Sequence, residues 1–111
     1  MANLRAMSLP EGIASRIKVI RQHRVILAAD LAELYGVPVR RLNEQVRRNA
    51  DRFPVDFAFQ LSAEEWISLK SQIATSKGRG GVRKLPWAFT EHGAIQAANV
   101  LNSPRAIQVG L

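Results

Sequence analysis

Two apolar stripes of helical spacing stand only three residues apart in this chain, and that gap constrains the fold more than any other feature. Leu27, Leu31, Leu34 and Tyr35 recur at the intervals of a helix face, and Val39, Leu42 and Val46 do so again beyond Gly36, Val37 and Pro38. Gly36 falls where a left-handed residue closes a helix. Pro38 suits a first helical position, because the amide hydrogen it lacks would be unsatisfied there. A three-residue connection is too short for a parallel return and fits a sharp corner containing glycine. The sequence therefore predicts a helix ending at Tyr35, a second running to about Ala50, and a helix-turn-helix across Asp30 to Asn49.

On either side of this unit the periodicity changes. Residues 1–15 show no period and contain Pro10 and Gly12, so they read as a flexible leader to a domain over 16–111. From Arg16 to Leu27, Ile17 and Val19 alternate with polar neighbours, as do Val25 and Leu27, around a polar turn at Arg21 to Arg24. This is a short β-hairpin. Pro54 stops the second helix, and Phe57, Phe59 and Leu61 alternate with Asp56, Ala58 and Gln60 as a half-buried strand would. Ser62 and Glu65 form a capping box before a third helix with Trp66, Leu69 and Ile73 as its stripe. Leu85 to Phe89 reads as another short strand, and Thr90 as the cap of a fourth helix whose apolar face holds Ile95, Ala98 and Leu101. Ser103 and Pro104 begin a further helix of only about two turns, too short to stand alone, so the natural protein is expected to continue. The fold class is α+β: a compact, mostly helical domain with a helix-turn-helix and short strands.

A chain of 111 residues that is 47% hydrophobic can bury a core without staples. With no cysteine, disulfide frameworks, thiolate zinc sites and a cysteine nucleophile are excluded, and the composition suits a reducing cytoplasm. Two histidines do not make a conventional zinc site, and no metal or cofactor is expected. No apolar run approaches the ~20 residues that cross a bilayer. Lysine and arginine number 16 against 9 acidic residues, a formal charge of +7, so a polyanionic partner is expected rather than a membrane.

On a wheel of about 100° per residue, Val39, Leu42 and Val46 point one way in the second helix, while Arg40, Arg41, Glu44, Arg47 and Arg48 point the other. An arginine run on a lone surface helix is more often a solvated face. Here the glycine corner adds independent geometry, and Arg40 to Arg52 and the loop at Lys77, Arg79, Arg83 and Lys84 together hold nine of the sixteen positive charges. A core-packed helix, a corner and an arginine-faced second helix are the parts with which a helix-turn-helix enters the major groove of double-stranded DNA. Arg40, Arg41 and Glu44, just after the corner, are assigned to base reading, and Arg47, Arg48 and Arg52 to phosphates. Asn43, Gln45 and Asn49 have the chemistry to read adenine, although Asn49 is better placed to bond its neighbouring backbone. The glycine-rich loop is either a wing against the DNA or a linker.

Enzymatic chemistry lacks parts. The one compact polar group, Thr90, Glu91 and His92, is explained by a helix cap and a carboxylate at a helix's positive end. Lys77 to Gly81 lacks the lysine and hydroxyl residue that should follow the last glycine of a phosphate-cradling loop. The rival reading is a protein-interaction module that binds a repressor without touching DNA. RNA is a weaker option: 6% of residues are aromatic, and Phe57, Phe59 and Trp66 read as core, leaving Trp87 to watch.

Ordered motifs along most of the chain resemble the phage-type KilA-N superfamily, in the branch called the ORF-six N-terminal domain. They are DLAELYGV at Asp30 to Val37, RLNEQVRRN at Arg41 to Asn49, RFPVDFAFQL at Arg52 to Leu61, SQIATS at Ser71 to Ser76, LPWAFTEHG at Leu85 to Gly93, and LNSPRAIQV at Leu101 to Val109. The resemblance implies a DNA-binding domain of phage or prophage regulators, often antirepressor-like, with a separate carboxy-terminal region and a compact α+β fold. Relatives commonly carry glycine where this chain has Gln22, an acidic residue where it has Ala28, and glutamine where it has His92. Helix-turn-helix proteins often act as homodimers, yet no heptad seam marks such an interface here.

Overall fold

The structure, a computed structural model, describes residues 14–73 and 84–102. The leader up to Ile13, Lys77, Arg79 and Arg83 of the basic loop, the side chain of Ile73, and the helix start at Ser103 lie outside the described residues. The elements in chain order are β1 (Lys18–Ile20), β2 (His23–Leu27), α1 (Ala28–Tyr35), α2 (Val39–Arg48), β3 (Ala58–Gln60), α3 (Ala63–Ile73), β4 (Trp87–Phe89) and α4 (Glu91–Leu101), with short 3-10 turns at Ala14–Arg16 and Ala50–Arg52. This is the α+β class read from the sequence.

The four strands form one antiparallel sheet in the order β1-β2-β4-β3. Alternation along the strands sends Ile26, Ala58 and Phe89 to one face, into a core with Leu31, Tyr35, Leu42, Val46, Ala97 and Leu101 of α1, α2 and α4. The opposite face carries Val25, Leu27, Phe59 and Ala88 against Leu69 of α3. The molecule is thus three layers, helices on both faces of a small sheet. That layering corrects the half-buried strand expected at Phe57 to Leu61: Ala58 and Phe59 are both buried because each face has its own cover, and Pro54 to Phe57 is a turn, Phe57 N–H donating to the Pro54 carbonyl at 2.7 Å.

The hairpin forms with Lys18 opposite Val25 and Ile20 opposite His23. Val19, expected inward, is 73% exposed. It shares a face with Ile26, but β1 is the sheet edge, and the helical layer over that face does not reach it. Arg21 and Gln22 make the turn at φ 56° and 68°, so two non-glycine residues take the left-handed conformation a two-residue hairpin requires. Arg21 is held there by Glu65, at 2.8 Å from Nε, and by the ring of Phe59, 4.1 Å from its guanidinium carbon.

The caps are largely those read from the sequence. Ser62 N–H donates to Glu65 Oε1 at 2.8 Å and Glu65 N–H to Ser62 Oγ at 3.1 Å, the reciprocal pair of a capping box. Thr90 caps α4, its hydroxyl oxygen accepting from Gly93 N–H at 3.3 Å. Leu27 precedes α1 without a side-chain cap, and belongs to β2 rather than to the helix.

Candidate nucleic-acid interface

The corner between α1 and α2 is built by Gly36 at φ 72°. Its amide donates to Glu33 O at 3.1 Å and that of Val37 to Ala32 O at 3.0 Å, a Schellman closure that satisfies the last carbonyls of α1. Pro38, extended at ψ 145°, is the cap before α2 and not its first helical residue. The Arg41 and Leu42 amides donate to its carbonyl. Leu42 and Val46 are buried, and they fix which side of α2 faces out. Val39, counted in the same stripe, is 40% exposed: it sits on the flank of the helix and borders a groove instead of entering the core.

The outer face of α2 carries Arg40, Arg41, Asn43, Arg47 and Arg48, all exposed, with Glu44 half-buried. They are not equivalent. Arg41 donates from Nη2 to Leu101 O at 3.2 Å, satisfying an end carbonyl of α4 where a cation also suits the negative end of that helix. Its guanidinium ties α2 to α4. Glu44 meets Arg48 at 3.4 Å one turn on, an exposed pair of small energetic weight. Asn49 donates to Gln45 O at 2.8 Å, the backbone role read for it. Arg40, Asn43, Arg47 and Arg52 bond no other described residue through their side chains. The other well-placed arginines are spent on structure: Arg16 pairs with Asp30 at 3.0 Å and with Glu33, and Arg21 with Glu65.

Lys84, the one member of the basic loop within the described residues, is exposed and borders the same groove as Arg47. The groove, of about 600 Å³, runs between the Val39, Asn43 and Arg47 flank of α2 and the segment Lys84 to Trp87. Sequence reasoning missed it, since its walls come from segments about forty residues apart in the chain. The only hint was Trp87, the aromatic left outside the core stripes. Thr90, Glu91 and His92 do not converge on a shared site: Thr90 donates to Asp56 O at 2.9 Å, and His92 stacks on Phe57 at 5.5 Å. Among the described residues no group of His, Cys, Asp or Glu is gathered as a metal site, and no helix is long and apolar enough to cross a membrane.

These features define a class: a small α+β module whose sheet and corner hold one helix with an arginine-rich face turned outward. The ORF6N domain matches residues 15–100, from the first 3-10 turn to the last turn of α4, and the chain belongs to that family. No curated protein and no solved structure matches it.

Proposed function

We propose that the domain binds double-stranded DNA, sequence-specifically or generally, with α2 as the helix that enters the major groove, and that it serves in a phage- or prophage-type transcription regulator or antirepressor of the KilA-N superfamily. One observation carries this reading: the buried Leu42 and Val46 and the glycine corner hold α2 so that Arg40, Asn43, Arg47 and Arg48 face solvent together. Arg40 and Asn43 follow the corner closely and suit base edges, while Arg47, Arg48 and Arg52 suit phosphates. Arg41 is a positioning residue that sets α2 against α4. Binding of this kind needs no catalytic group, metal or cofactor, and the cysteine-free composition suits the cytoplasm.

The test is an electrophoretic shift on duplex DNA with two charge reversals that change net charge equally. Arg40→Glu on α2 is expected to weaken binding by about a hundredfold, and Arg24→Glu on the exposed start of β2 by much less. Equal losses would mean that net charge alone drives binding, and the assignment to α2 would fall. A protein partner, such as a repressor bound in place of DNA, is the second reading, and the groove beside α2 is what favours it.

A further inference from the structure

The groove along α2 has a chemistry that DNA phosphates do not use. Its walls are apolar, with Val39, Phe53, Leu85 and Trp87 prominent among them, and among the described residues Arg47 and Lys84 are its only charged lining residues, with no carboxylate in the lining. At about 600 Å³ it falls in the range of sites that enclose a compact ligand, and so has room for bulky apolar side chains. A phosphate backbone laid there would meet the two cations but gain nothing from the apolar wall. A bare hydrophobe would fill the wall and leave both cations unmatched.

We propose that this groove is a docking site for an acidic peptide segment of a partner protein, which inserts a pair of large apolar side chains between α2 and Lys84 to Trp87 and places its flanking carboxylates on Arg47 and Lys84. Charge complementarity selects this occupant: the chain is basic overall, and among the described residues the groove lining carries positive charge alone. Since Arg47 also belongs to the arginine face of α2, the docked peptide competes with DNA. That consequence rests on the DNA-binding reading; the docking itself does not.

The probe is a fluorescein-labelled hexapeptide, Asp-Glu-Leu-Phe-Glu-Asp, beside its control with the central pair replaced by Ala-Ala. Fluorescence polarisation is read with wild type, Ala29→Trp and Lys84→Glu. Ala29 and Lys84 are exposed residues of the groove lining, so both variants are expected to fold, which circular dichroism checks. The Leu-Phe peptide should bind wild type at least about tenfold more tightly than the Ala-Ala control, and each variant should lose at least about tenfold. Ala29→Trp should leave binding of duplex DNA within about twofold, and unlabelled Leu-Phe peptide should displace that DNA from wild type. Equal binding of the two peptides, or binding indifferent to Ala29→Trp, would overturn the proposal, as would Ala29→Trp weakening DNA and not peptide. If no variant binds DNA but the peptide pattern appears, the DNA-binding reading fails and the docking site stands.

Discussion

At the scale of single residues, one backbone contact ties the middle of the chain to its last described helix. Thr90 N–H donates to Phe57 O at 2.9 Å, which draws the turn before β3 onto the start of α4. The approach is so close that a Cβ on Gly93 would stand 1.8 Å from that carbonyl oxygen. Both partners are backbone, so neither yields by a rotamer change. Gly93→Ala is expected to destabilise the domain by about 3 kcal/mol, read as a fall in the urea midpoint. Gln22 lies at the other extreme. Its φ of 68° costs a side chain of ordinary shape roughly 1 kcal/mol. Gln22→Gly should raise stability by about that amount, with an unchanged denaturant slope. A lower midpoint would mean that Gln22 makes a compensating contact.

Among the elements, the hairpin and α3 are joined by Arg21 and Glu65. Hydrogen bonding from Arg21, with further help from Ser62, holds the Glu65 carboxyl at about 2 instead of its usual 4.5. A folded-state value below the unfolded one means that the stabilisation is complete above about pH 4.5 and is lost as pH falls toward 2. Glu65→Gln lacks it. Urea midpoints of the two proteins should therefore differ near neutral pH and converge by about pH 2, and a gap that stays constant would remove the charge from the explanation. Elements of this kind were legible in the sequence because their signals are local: the glycine corner, the capping box from Ser62 to Glu65, and the Thr90 cap all lie within a few residues. What was not legible depends on what lies across the sheet. Periodicity gave Phe59 an inward side, but the cover over Ala58 comes from α1, α2 and α4, and the lack of cover over Val19 comes from the position of β1 at the edge. The candidate interface divided in the same way. The arginines of α2 were visible in the sequence as a face, whereas the bond that commits Arg41 to Leu101, and the groove shared by Arg47 and Lys84, join residues far apart in the chain.

For the whole molecule, the excess of 16 basic over 9 acidic residues makes attraction to polyanions general, so affinity by itself says little about which surface is used. Salt dependence is more informative, because each phosphate neutralised by a fixed cation releases counterions and adds close to one unit to the slope of log K against log salt. Arg47 and Arg48 suit this test: both are exposed, and among the described residues neither ties one element to another and only Arg48 has a side-chain bond, the weak one to Glu44. The most direct measurement is fluorescence-polarisation binding of random-sequence duplex DNA across a salt series, with wild type beside the double variant Arg47→Ala, Arg48→Ala. DNA binding through α2 predicts that wild type weakens steeply with salt and that the variant loses about two units of slope. An absence of binding at low salt, or a slope the variant leaves unchanged, would contradict it.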